Sequence, residues 1–206
     1  MKLTDLLLKR LKRTKKAQPK AIDLGLPSGT LWADRNVGAS SQEGVGLYFS
    51  WGNTEGHVFD TDYDFFHDYW NTTGSKLRSD IDEEHDAATV NLGKPWRMPT
   101  KDDFIELYEN CTYDPCYLNS FLEMKFVGIK FTSNINGKSI FFPCSGYGDY
   151  KSFWYGHLSV GYYWSASFNS SRSARFLSFS SGGVDPQNLS YRGDRFVVRP
   201  VQNKSD

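Results

Sequence analysis

The chain has 206 residues, enough for one domain, or one domain with an appended segment, and enough to bury a core without disulfides or a metal. Lys+Arg and Asp+Glu both number 24, which excludes a chain-wide polycation of the nucleic-acid-binding kind. With 15 Phe, 12 Tyr, 6 Trp and 18 Gly against three Met, the composition suits short strands and turns better than a helix bundle.

The charge is uneven. Residues 1–20 hold eight Lys/Arg and one Asp, a surplus of +7, which leaves −7 for residues 21–206. Within 3–16, Leu3, Leu6, Leu7 and Leu11 fall on one helical stripe with basic residues around the rest, which predicts a short amphipathic helix closed by Pro19. This helix reads either as an attachment segment or as a solvated terminus. Asp5 and Lys9-Arg10 bracket Leu6–Leu8, so the about 7–15 apolar residues of a signal peptide are not met. No window approaches the ~20 apolar residues of a membrane span, so a soluble domain is expected.

From Ile22 the pattern turns to short apolar stretches, Ile22–Leu26, Leu31–Val37 and Val45–Trp51, separated by Gly-, Pro- and Ser-rich turns. Residues 53–85 are acidic and aromatic and read as a long excursion loop. Two helices follow, near Asp86–Leu92 and over Lys101–Asn110, the second with Thr100 as N-cap and Asp103 returning the cap. Lys125–Thr132 and Ser139–Pro143 flank Asn136-Gly137 and predict a hairpin. Strands are also expected at Tyr162–Ser167, Ala174–Ser180 and Phe196–Val201.

No P-loop, G-x-S-x-G, H-E-x-x-H or dinucleotide fingerprint is present, and the four histidines show no ligand spacing. Asp60–Asp64 resembles the opening of a calcium loop, but Phe65 and Asn71 stand where Gly and Glu are needed. Asp82–Asp86 reads as a solvated acidic face. Cys111, placed at a helix end, and Cys116, placed in a loop, are open to a local disulfide or to three free thiols with Cys144. Arg192-Gly193-Asp194 is an integrin-type tripeptide better explained by a turn at Gly193. The strongest signal is compositional: of the 51 residues from Ser145 to Arg195, 25 are Ser, Gly or Tyr. Such a mix resembles an antibody paratope, in which rigid aromatics supply contact area and small polar residues adapt.

A series of words resembles the major paralogous domain (FISUMP-like) family of gut Bacteroidetes and their phages. They are Ile22–Ala33, Asn36–Ala39, Tyr48–Gly52, Asp86–Thr89, Trp96–Thr100, Asn134–Phe142, Gly161–Ser165 and Val198–Val201, in that order. The resemblance implies an α+β, C-type-lectin-like fold of short twisted antiparallel sheets with two helices, spanning 21–206 behind the helical segment 1–20. It also implies kinship with the variable proteins of diversity-generating retroelements, whose ligand face lies between a Tyr-Trp-Ser strand and a Val-Arg-Pro-Val ending, here Tyr162–Val201. The expected ligand-binding residues are then Phe168, Asn169, Arg172, Arg175, Asn188, Tyr191, Arg192 and Asp194, joined by Trp154 and Tyr155. Trp32, Trp51, Trp96, Trp164, Phe196 and Val198 are expected to form the frame. The calcium-lectin triplets Glu-Pro-Asn and Trp-Asn-Asp are absent.

The expectation is a non-catalytic adhesion module with no cofactor and no metal. It would bind a cell-surface protein or glycan and be carried on a phage virion or outside the cell, with residues 1–20 meeting the assembly partner. Two alternatives are a virion decoration protein without a host ligand and a formylglycine-generating-type oxidase using Cys111 and Cys116.

Overall fold

A computed structural model describes residues 18–58, 76–119, 124–149, 154–156 and 159–204. The helix expected within residues 3–16 and the calcium-like Asp60–Asp64 stretch lie outside these. The described elements, in chain order, are β1 (Ala21–Asp23), β2 (Thr30–Ala33), β3 (Tyr48–Ser50), α1 (Ala87–Leu92), α2 (Lys101–Asn110), β4 (Cys111–Asn119), β5 (Met124–Ser133) and β6 (Ser139–Pro143). They continue with β7 (Tyr147–Gly148), β8 (Trp154–Tyr155), β9 (Val160–Phe168), β10 (Ser173–Ser180), β11 (Gly183–Tyr191), β12 (Arg195–Val197) and β13 (Val201–Asn203). The fold is therefore α+β, mostly sheet, with two helices among the described residues.

Three sheets assemble in the orders β1-β2-β13, β4-β5-β6 and β11-β10-β9-β12-β7-β8, with β3 also paired to β12. Every pairing is antiparallel except that of β12 with β9, where Val197 faces Tyr163. The seven-stranded sheet is buried on both faces along its middle, so its central strands carry apolar residues in succession instead of alternating with polar ones. Tyr48, Tyr163, Leu177, Phe179 and Val197 point into one core with Trp32, Phe104, Phe131 and Phe142. Their neighbours Phe49, Trp164, Phe176 and Phe196 point into the other with Trp51, Ala87, Ala88 and Met98. Trp32, Trp51, Trp96, Trp164, Phe196 and Val198 are all buried, as a frame requires.

The start of α2 follows its sequence signal, whereas Asp86, read as part of a solvated acidic face, is buried at the start of α1. Asp86 caps α1 by accepting from Thr89 N, and its other oxygen accepts from Met98 N at 2.8 Å. Thr100 and Asp103 close a reciprocal capping box on α2. Asp103 also accepts from Arg97 Nη1 at 2.7 Å and from Thr30 Oγ1 at 3.1 Å, tying the helix to β2 and the chain end.

Three expectations are corrected. Phe196–Val201 is two strands in different sheets, because Pro200 lacks the N–H that would continue a ladder. Between them Val198 O accepts from Val37 N. Cys111–Asn119 is a full strand paired along β5, so Cys116 is not in a loop. Residues 183–191, which lie between the strands expected at Ala174–Ser180 and Phe196–Val201, form β11, the outermost strand, where Pro186 is tolerated at an edge. The hairpin expected around Asn136-Gly137 forms, β5 pairing antiparallel with β6, with Ser133 N donating to Lys138 O and Gly137 at φ 73.

Candidate functional site

Strand alternation, strand order and burial divide the expected ligand residues among five places instead of gathering them on one face. Phe168, Asn169 and Arg172 cluster at the β9–β10 turn. That turn is stitched by Ser170 Oγ, which accepts from the backbone N–H of Arg172 and of Ser173, while Asn169 Nδ2 donates to Ser173 Oγ. Phe168 N donates to Asp80 Oδ1 at 2.7 Å, so the segment before α1 braces the same turn. Arg175 and Tyr191 lie on the sheet face opposite Phe176: Arg175 is opposite Leu189, and Ser173 is opposite Tyr191. Arg175 Nη1 is held by Gln187 O at 2.9 Å. Asn188 pairs with Phe176 and so belongs to the other face, and Trp154 and Tyr155 form β8 at the far edge of the sheet.

Arg192 and Asp194 do not belong to an exposed face, because both are buried. The Arg192 guanidinium is 4.4 Å from the centroid of Trp51 and 4.7 Å from that of Phe168, and its Nη1 donates to Leu77 O at 3.0 Å. A cation between two aromatic faces, hydrogen-bonded to a carbonyl, holds the segment before α1 against the sheet. Asp194 Oδ2 accepts from Ser190 Oγ at 2.5 Å, and Asp194 N donates to Tyr191 O across a tight turn at Gly193. The Arg-Gly-Asp tripeptide is thus a structural turn with its charged side chains turned inward.

Sequence reasoning missed a row of rings on the Phe176 face. Tyr155 stacks on Tyr147 at 5.2 Å between ring centroids, Tyr147 meets Tyr162 at 4.7 Å, and Tyr162 stacks on Phe176 at 5.2 Å. The row steps from β8 through β7 and β9 to β10. Tyr155 is 44% exposed, and Tyr147 and Tyr162 are half-buried. Burial raises the phenol pKa of Tyr147, with Tyr162 and Asp194 adding to the rise, and burial likewise raises that of Tyr162. Both rings are therefore neutral hydroxyl carriers at any physiological pH. The row continues into polar side chains, since Ser178 lies directly opposite Tyr162 on one side and Asp185 on the other. The signal was available in the i, i+2 spacing that puts Tyr162 on the same side as Trp164, and Ser178 on the same side as Phe176.

Cys111, Cys116 and Cys144 are free thiols. Cys111 and Cys116 are five residues apart on one extended strand, roughly 16 Å at about 3.3 Å per residue and on opposite sides of it. That spacing excludes a local disulfide and a shared copper ion. Burial pushes the Cys111 thiol up to about 11 and Cys144 up to about 12, so neither is a nucleophile at neutral pH. Among the described residues no three His, Cys, Asp or Glu side chains gather to hold a metal, and no helix is long and apolar enough to cross a membrane. Asp82 Oδ1 meets His85 Nδ1 at 2.5 Å and Asp86 is a helix cap, so the acidic run 82–86 is engaged locally.

No family model, curated protein or solved structure matches the chain.

Proposed function

We propose that this protein is a non-catalytic recognition module of C-type-lectin-like type, displayed on a phage particle or outside the cell. It would bind a cell-surface protein or glycan through the exposed end of its large sheet. The observation that carries this reading is the tyrosine row Tyr155–Tyr147–Tyr162 running along one sheet face into Ser178, Asp185 and Asn188. Rings locked by stacking lose little entropy on contact, and the small polar groups beside them can meet hydrogen bonds of varied direction. The ordered words that resemble the major paralogous domain family support the same reading, as does the Ser-, Gly- and Tyr-rich composition of residues 145–195. Residues 1–20, with their surplus of +7, would serve as the attachment segment.

The test is binding of the purified full-length protein to intact gut bacteria, set beside a Tyr155→Ala, Asp185→Ala, Asn188→Ala triple variant. All three residues are exposed, so the variant should keep its melting temperature. Cell binding by the wild-type chain that the triple variant loses is the expected outcome. Equal binding by the two would remove this surface as the ligand face, and attachment only to purified phage particles would make the protein a virion component without a host ligand.

A further inference from the structure

The polar end of the tyrosine row is a shallow cavity at the β10–β11 hairpin, lined by Val160, Tyr162, Ser178, Ser180, Gly183 and Asp185. None of these was among the residues that the sequence singled out for binding. We infer that this cavity is a saccharide subsite that takes a neutral hexose ring, an inference that rests on the recognition reading and gives it a ligand class.

Register places the groups. Tyr162, Ser178 and Asp185 sit opposite one another across β9, β10 and β11, and Val160, Ser180 and Gly183 form the next rung two residues along. Directly opposed side chains on one sheet face have Cβ atoms about 4.5–5.5 Å apart. The Ser178 hydroxyl and the Asp185 carboxylate are therefore spaced to meet neighbouring hydroxyls of a single ring. Ser178 Oγ accepts from Asn188 Nδ2 at 3.3 Å, which leaves its proton to donate outward. Asp185 Oδ1 accepts from Gln187 N at 3.0 Å, while Oδ2 has no partner among the described residues and is available as an acceptor.

The floor is open. A Cβ built on Gly183 would meet nothing within 4 Å, and one on Gly182 would meet only Ser180 Oγ at 3.6 Å. Beside the polar pair, the Tyr162 ring and Val160 supply an apolar wall for the C–H face of a pyranose. An apolar wall with a few placed polar groups is the usual make-up of a small-molecule site.

Charge selects the class. Among the described residues no Lys, Arg or His lines the cavity. Arg175, the cation nearest along the hairpin, lies on the opposite sheet face and is held by Gln187 O. An anionic sugar would bring its carboxylate to Asp185 with no counter-charge, so the site favours a neutral ring.

The experiment is saturation-transfer NMR on the full chain with the methyl glycosides of glucose, galactose and mannose, with methyl glucuronoside and a hexalysine peptide alongside. At least one neutral glycoside should bind, with the glucuronoside silent. Asp185→Ala should weaken that binding at least ~10-fold, the loss of one charge-assisted hydrogen bond. Asp185→Asn, which keeps the shape but removes the charge and turns the free acceptor position into an amide donor, should weaken it as well. The inference is overturned if no neutral glycoside binds, if Asp185→Ala binds as wild type does, or if only hexalysine binds. Cell binding without glycoside binding would overturn the saccharide subsite alone, whereas loss of both would also remove the recognition reading.

Discussion

Arg199 is fully buried, yet the ties that hold it run to neutral groups. Its Nε donates to Asn36 Oδ1 at 2.7 Å, Nη1 to Ala33 O at 3.1 Å and Nη2 to Phe141 O at 2.8 Å, while the guanidinium covers the Phe142 ring at 4.4 Å. These contacts join the start of the domain, the β6 strand and the chain end at one point. Arg199→Met keeps much of the volume and removes all three donors. Each hydrogen bond from a charged donor contributes about 1.5–3 kcal/mol. Against that, the substitution relieves the cost of burying a cation, a cost visible in the guanidinium pKa pushed down to about 10 by burial. The balance is a loss of about 3–5 kcal/mol, since three buried or part-buried acceptors are left without their donor at about 1–3 kcal/mol each. At about 2–4 °C per kcal/mol for a domain this size, the melting temperature should fall by roughly 6–20 °C. Urea unfolding followed by tryptophan fluorescence reads the change directly. A variant within ~1 kcal/mol of wild type would show that the three acceptors find other donors and that the clamp is not what joins these segments.

Three further outcomes are expected. Burial acts to raise the Asp103 carboxyl, but the hydrogen bonds and charge of Arg97, with the Thr100 cap, outweigh it and hold the pKa below the ordinary value. Its stabilisation is therefore present above the unfolded pKa of about 3.9 and lost as pH falls through the lower folded value. Asp103→Asn should lose about 1–2 kcal/mol at pH 7 and flatten the acid limb of a stability-against-pH curve, and an unchanged limb would refute the assignment. In a thiol titration of the native protein Cys116 should react first, with Cys111 and Cys144 following only in denaturant, because these two are buried with raised pKa values. Fast reaction of all three under native conditions would contradict that packing. Gly161→Ala sets a Cβ 2.1 Å from the buried Phe179 ring and should cost about 1–3 kcal/mol through overpacking, read as a lowered melting temperature.

Local signals in the sequence matched the structure where the physics is local. Thr100 and Asp103 are three residues apart because the first turn of a helix leaves N–H groups that only such a pair can satisfy reciprocally, and α2 begins there. The pairing of β5 with β6 around Asn136-Gly137 follows in the same way. What the sequence hid was non-local. β4 reads as a loop because Asp114, Pro115 and an even mix of polar residues carry no alternation, and only its partner β5 makes it a strand. β11 is hidden for a related reason. As an outer strand its residues are mostly exposed, so they are not forced into the hydrophobic pattern by which strands are recognised.

The site was harder to read than the fold for one physical reason: composition marks a segment, whereas a binding face is chosen by alternation and burial. Arg192 and Asp194 have the chemistry of a recognition pair, and both are spent inside, one between Trp51 and Phe168 and the other on Ser190. Tyr162, which looks like part of a core word beside Tyr163 and Trp164, instead keeps part of its surface in water. Towards β7 and β8 the face of the sheet, among the described residues, is built of stacked tyrosines. Neighbouring residues of one strand thus have opposite fates, Tyr163 fully buried and Tyr162 half-exposed. A two-sided sheet that is covered on both faces in its middle and lined by part-exposed tyrosines at one end turns an aromatic-rich strand into both core and contact surface, and that division is set by the tertiary cover.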